Sequence, residues 1–195
     1  MRTLLFLIAA ATLNLQSFAG EGVKVDTKTS KLGWLAKKVT GQHNGEVIIK
    51  SGSLEIDNNT LTGGEFVINM TSINVLDITN EEYNTKLVNH LNSPDFFNTA
   101  EFPEAKFKIT SAKKSKSDQG NYEITGDLTI KGITKPVTFP AQVDVKDGNI
   151  LASATIIFDR AQYDVKYGSG SFFDNLGDKT IYDEVEMKVN LVARK

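Results

Sequence analysis

Few residues in this 195-residue chain could do covalent chemistry. There are two histidines, His43 and His90, and no cysteine, so thiol nucleophiles, disulfides and cysteine-based metal sites are excluded. His43 lies in Thr40-Gly41-Gln42-His43-Asn44-Gly45, where two glycines would let a long strand bend. The plain reading is a satisfied polar residue at that bend. The sharper alternatives are a ligand or metal contact, or a small hydrolase or isomerase that uses His43 with nearby carboxylates. His90 falls on the polar side of a predicted helix and reads as a solvated surface residue. No G-x-S-x-G elbow is present, and Gly168-Ser169-Gly170-Ser171 lacks the lysine and following helix of a phosphate loop. Asp159-Arg160, followed by Tyr163 and Tyr167, ends an apolar strand. An arginine there could meet an anionic head group with paired N–H donors, or pair structurally with an acid. No catalytic residue, metal or cofactor is assigned.

The apolar residues carry more signal. "SPDFFNTAEFPEAKF", residues 93–107, packs Phe96, Phe97, Phe102 and Phe107 together with Pro94 and Pro103. Aromatic rings belong to buried regular elements, whereas prolines interrupt them. The mixture marks a seam between two kinds of structure, with Phe96 and Phe97 placed to cover something apolar.

Period-two alternation dominates the rest of the chain. Tyr122, Ile124, Gly126, Leu128 and Ile130 share one face against Glu123, Thr125, Asp127, Thr129 and Lys131. Phe66, Ile68 and Met70, then Ala105, Phe107 and Ile109, then Ile150 to Phe158 and Val185 to Ala193, repeat the pattern. Strands are predicted over 22–26, 31–41, 45–57, 61–75, 104–113, 121–131, 136–146 and 149–160, with a ninth over 181–193. Asn58-Asn59, Lys131–Pro136 and Asp147-Gly148-Asn149 read as tight turns, and Lys113–Gly120 as a charged, flexible hairpin loop. Thr79 with Glu82 suggests a capping box for one helix over about 79–92, with Tyr83, Leu87, Val88 and Leu91 as its apolar stripe. Ser93-Pro94 would start a second helical turn, and Phe172–Leu176, closed by Gly177, a third.

Many long meandering strands with one inserted helix point to an all-β fold, a single closed antiparallel barrel of about eight strands. Strands of about 10–13 residues, tilted by about 40°, make a barrel roughly 25–33 Å tall. Eight strands can enclose side chains alone or one elongated ligand. The inward set expected to form a ligand wall is Trp34, Phe66, Ile68, Met70, Phe107, Leu128, Ile130, Phe139, Ile156 and Phe158, with ordinary packing as the alternative for each.

Residues 1–19 have the form of a secretory signal peptide: Arg2, an apolar run over Leu4–Leu13, and Ser17-Phe18-Ala19 as a cleavage site. A periplasmic domain over 20–195 is therefore expected. Twenty-two Lys and Arg stand against 24 Asp and Glu, a balance that suggests no nucleic-acid partner. A transmembrane outer-membrane barrel would share the leader and the alternation. The charged loops, the amphipathic helix, the missing aromatic girdles and the Arg194-Lys195 terminus speak against it. The sequence is compatible with a monomer or a homodimer.

These pieces together resemble the YceI-like family of small exported proteins, over about residues 22–194. The matching stretches are Ser53-Leu54-Glu55-Ile56, Gly63–Ile73, Phe96-Phe97 ahead of Phe102-Pro103-Glu104-Ala105-Lys106-Phe107, and Gly126–Gly132 with Pro136-Val137. Asp159-Arg160, leading to Leu176-Gly177-Asp178-Lys179 and Asp183-Glu184-Val185, completes the set. The chain departs from many members at Gln162-Tyr163-Asp164. The resemblance implies a lipocalin-like barrel and a binder of polyisoprenoids or similar long-chain amphipathic lipids, tail inside, with no catalytic residues. Phe96 and Phe97 would then be a movable cover, with Arg160 and Tyr163 facing the head group.

Overall fold

The structure, a computed structural model, describes residues 21–194. The leader expected over residues 1–19 lies outside them. Ten antiparallel strands form one sheet: β1 (Glu21–Lys24), β2 (Lys31–Lys38), β3 (Gly41–Glu46), β4 (Ile48–Asp57), β5 (Thr60–Asn69), β6 (Glu104–Ser117), β7 (Gly120–Ile130), β8 (Ile133–Lys146), β9 (Asn149–Asp159) and β10 (Ile181–Arg194). One helix, α1 (Glu81–Asn92), is inserted between β5 and β6.

The ladder runs β1-β4-β5-β6-β7-β8-β9-β10-β2-β3. Its two ends meet, because β3 and β4 are halves of one bent strand separated only by Val47. The Val47 N–H still donates to Leu32 on β2, while Ile49 already faces Ile68 on β5. The ring therefore contains the eight strands the alternation implies, counting β3 and β4 as one. Beyond β1, Val25 bridges Ala193 of β10 and covers the remaining gap. Closure leaves one exposed edge, that of β3, and residues 74–77 lie along it: Asn74 N–H donates to Glu46 O, and Leu76 N–H to Asn44 O. The glycines expected to permit a bend act differently at Gly45. A Cβ there would overlap the Asn74 carbonyl and the Trp34 ring, so glycine permits the crossing.

Two-residue turns set the register. Asn58-Asn59, Lys131-Gly132 and Asp147-Gly148 all have positive φ at both positions, the geometry whose twist matches a hairpin. Several expectations need correction. Lys113–Gly120 is not a flexible loop, since β6 and β7 stay paired out to Ser117 and Gly120. The turn after β7 ends at Gly132, so Pro136 sits within β8 opposite Asp127. The strand expected over 61–75 stops at Asn69, where a 3-10 turn over Met70–Ser72 begins, and 31–41 is really β2 plus the turn into β3. The α1 cap is Asn80, whose side chain accepts from the Tyr83 N–H, rather than Thr79. Ser93 closes α1, its hydroxyl donating to His90 O, and it also opens the expected short turn, its carbonyl accepting from the Phe96 N–H at 3.0 Å. The third helical turn is at Gly177–Lys179, and another, unanticipated, spans Arg160–Tyr163. Tyr83 leaves the expected stripe and is exposed, and no α1 residue is fully buried.

The two barrel ends differ. The hairpins at Asn58-Asn59, Asp118-Gln119 and Asp147-Gly148 close one end, where Leu54, Tyr122, Ile150 and Ala193 pack solidly. The Tyr122 hydroxyl accepts there from the Leu61 N–H. The long connections, 70–103 with α1 and 160–180, gather at the other end.

Candidate functional site

The barrel interior is not filled: its space runs from Phe96, Phe97 and Arg160 at the helical end down to Leu54, Leu61, Val143 and Leu191 toward the hairpins. A cavity there offers ≈ 210 Å³ to the centres of water-sized groups, and the space between its walls, mouth included, is ≈ 1560 Å³. Thirty-five residues line it, of which only Ser153 and Arg160 carry a polar side-chain group besides the Trp34 indole. Alternation explains this uniformity: period two turns every second residue of eight strands inward, and those residues are apolar. Leu32, Leu128, Val137, Ala152, Ala154, Ile156, Met187 and Val189 face inward yet remain only half-buried, because their exposed surface is cavity wall. An apolar space of this kind holds no favourable site for water, which needs two to four polar partners.

The aromatic part of the wall is locked by local chemistry. Phe107 stacks with Phe66 at 6.3 Å between centroids and tilts against Phe139 at 5.7 Å. Gly126 makes room for the Phe107 ring, since a Cβ there would overlap it, and Gly52 lies against Phe66 in the same way. Trp34 is fixed by its indole N–H, which donates to Asn74 O at 3.1 Å.

Thirteen of the fourteen residues expected at the site line this cavity: Trp34, Phe66, Ile68, Met70, Phe96, Phe97, Phe107, Leu128, Ile130, Phe139, Ile156, Phe158 and Arg160. Tyr163 does not reach it. The 3-10 turn over Arg160–Tyr163 carries that ring behind the wall, where it packs edge-on against Phe158 and is 1% exposed. Burial, then the nearby Asp159, pushes its phenol up to about 12. Sequence reasoning missed the small and aliphatic wall, notably Leu32, Ala152, Ala154, Met187 and Val189. All but Leu32 were legible as members of the alternating sets.

Arg160 lines the cavity but is bound from behind. Its Nε donates to Tyr182 O at 3.2 Å, Nη1 to Val165 O at 2.7 Å and Nη2 to Ile181 O at 3.1 Å. Asp183 Oδ1 stands 3.2 Å from Nη2. Asp183 Oδ2 accepts from the hydroxyls of Ser169 and Ser171 at 2.8 and 2.7 Å. Burial pulls the guanidinium below its usual range, opposed by Asp183 and Asp159. Its work is to tie the β9–β10 connection to the start of β10, which is the structural-pair reading. The partner is Asp183, not the adjacent Asp159, which instead caps the 3-10 turn through the Ala161 N–H.

At the mouth, Phe96 is buried and Phe97 half-buried. Phe96 meets the His90 ring edge-on at 4.9 Å and Tyr167 at 5.3 Å, and His90 meets Tyr167 at 4.6 Å. His90 is therefore not the solvated residue expected from its helical position; it joins α1 to the β9–β10 connection, with Asp95 3.4 Å from its Nε2. His43 is far from such a cluster. Its Nδ1 lies 2.8 Å from Asp77 Oδ2, and Asp77 Oδ1 accepts from the Asn44 N–H. Burial raises the Asp77 carboxyl, but these bonds outweigh it and hold the group below its ordinary range. Both residues pin the covering segment onto β3. Among the described residues, no group of three or more His, Asp or Glu could hold a metal ion, and no helix is long and apolar enough to cross a membrane.

Known proteins share this architecture. The chain is 45% identical over 76 residues to Protein YceI of Escherichia coli O6:H1, covering 39% of this chain and 35% of that one. It is 40% identical over 92 residues to a UPF0312 protein of Shewanella denitrificans, covering 46% and 44%. The matches thus span less than half of those relatives' lengths. BcnA of Burkholderia cenocepacia superposes with a TM-score of 0.67 at 24% identity, over 87% of this chain and 99% of that one. A structure described as a polyisoprenoid binding domain from Saccharophagus degradans, implicated in plant cell wall breakdown, does so at 0.65 and 15% identity, over 88% and 97%. At these identities the likeness speaks to fold. The family model for the YceI-like domain matches residues 23–193, nearly the whole described barrel, and the chain belongs to that family.

Proposed function

We propose that this protein is a periplasmic carrier that holds a long-chain amphipathic lipid, a polyisoprenoid above all, with its tail in the barrel cavity. The observation that supports this reading is the unfilled interior with its almost wholly apolar wall. The space between the walls runs along the barrel and opens to solvent at the mouth, so it suits the inner part of a tail of ~40 carbons. At ~0.3 kcal/mol per heavy atom, such a tail could contribute about 12 kcal/mol, near-nanomolar affinity without any polar anchor. That matters because most Arg160 donors are already engaged, leaving the head group to the open mouth. Two further observations support the reading: the family membership and a structural neighbour described as polyisoprenoid-binding. The leader read over residues 1–19 supports export.

Native mass spectrometry of the protein purified without detergent from its own host tests this. A co-purifying isoprenoid lipid, released on unfolding, is the expected result. Purification free of any lipid, with no uptake of an added C40 isoprenoid, would overturn it.

A further inference from the structure

Fifteen aromatic side chains lie within the described residues, and five are exposed: Tyr83, Tyr167, Phe172, Phe173 and Tyr182. All five sit at the helical end of the barrel, on α1, on the β9–β10 connection or at the first turn of β10. None lies at the hairpin end. Tyr167, Phe172 and Phe173 lie on the connection that borders the cavity mouth, and Tyr182 follows the cavity-lining Ile181. Tyr167 packs on Phe96, and Ser169 bridges Ile181, both Phe96 and Ile181 being cavity-lining. The N–H groups of Phe172 and Phe173 both donate to Ser169 O, which ties this turn beside the mouth, and both rings are 51% exposed. Lys166 lays its ammonium 4.8 Å from the Phe172 ring centroid.

We infer that this aromatic rim docks onto a lipid bilayer, so that the cavity mouth opens against the acyl region rather than into water. The inference rests on the proposed lipid-binding function. Its physical reason is continuity between the exposed rings and the cavity wall. A tail leaving such a cavity into water would re-expose its apolar area, whereas rings seated at the head-group boundary let it pass between two apolar phases. Tyr and Phe with a lysine reaching back over a ring is the composition of an interfacial anchor. Lys166, which pairs with Asp164 at 2.8 Å, and Lys179 are offset by Asp164, Asp174 and Asp178 on the same connection, so the rings carry the binding and the bilayer's charge changes it little.

The test is flotation of the purified protein with phosphatidylethanolamine–phosphatidylglycerol vesicles, repeated with phosphatidylcholine alone. The wild type is expected to float with both. The F172S/F173S variant should lose roughly tenfold in partitioning, while I157S, on the exposed outer wall, floats like the wild type. Neither phenylalanine lines the cavity, so F172S/F173S should still take up an isoprenoid delivered from ethanol, read by Trp34 emission. Equal flotation of F172S/F173S and wild type, or no flotation of the wild type, overturns the docking surface and leaves the lipid-binding function standing. Capture of a protein partner through these rings without flotation does the same. Failure of the wild type to take up isoprenoid from ethanol sinks the lipid-binding reading itself.

Discussion

Filling the cavity should change stability and affinity in opposite directions. Ala152 and Ala154 of β9 face inward, opposite Val143 and Ala141 on β8, and both line the cavity. Replacing each with leucine adds three carbons per site. Fully buried, each carbon would contribute about 0.8 kcal/mol; facing a cavity open at one end, roughly half of that is realised, about 2–2.5 kcal/mol for the pair. The double variant should therefore be more stable to urea than the wild type. The same six carbons take the room of about six ligand carbons, which at ~0.3 kcal/mol each weakens binding by about 2 kcal/mol, roughly 20-fold. Trp34 is the chain's single tryptophan and lies in the same wall, so its emission reports an isoprenoid titration directly. Unchanged affinity with a responding Trp34 would mean that the ligand does not occupy the cavity. A loss of stability by about 1–3 kcal/mol would mean that the space is already packed, the overpacking result. Either outcome refutes the reasoning.

Other perturbations follow from the same contacts. Arg160→Gln leaves carbonyls of Val165, Ile181 and Tyr182, and the Asp183 carboxylate, without their cation. It should destabilise by about 3–5 kcal/mol in urea unfolding, and a neutral result would show that the network is dispensable. Gly126→Val pushes into Phe107 and should lower stability by about 1–3 kcal/mol on thermal melting, whereas an unchanged melt would show that the ring has room to move. His43→Ala should retain isoprenoid binding in the Trp34 titration; complete loss would return His43 to the site. The depressed Asp77 carboxyl contributes stability that is present above its ordinary value of 3.8 and is lost as pH falls through its folded value. The stability difference between wild type and Asp77→Asn should accordingly be full at neutral pH and shrink in acid; a difference that persists at low pH would rule out the carboxylate as its source.

The alternating sets placed most strands within a few residues, because period two is a local property that burial of one face enforces. Boundaries failed where a distant partner decided them. The β6–β7 hairpin stays paired through a polar tip because each strand supplies the other's hydrogen bonds. Asn80 displaced Thr79 as helix cap, since its side chain is the one that meets the Tyr83 N–H.

From sequence alone, this protein was legible as an antiparallel barrel of inward apolar faces with an aromatic seam at 93–107. Both are one-dimensional facts: the residue types repeat along the chain, and any closed sheet must turn the apolar set inside. Three things needed the tertiary structure. Only the paired register could show that the inward residues leave a cavity, because alternation says which side chains face in and not whether they meet. Only the loop contacts could show that Arg160 is satisfied by Val165, Ile181, Tyr182 and Asp183, residues up to 23 positions away. And only the packing of Phe96 and His90 on Tyr167 could join the two long connections into one mouth. Each depends on distances between segments remote in the chain, which no local pattern encodes.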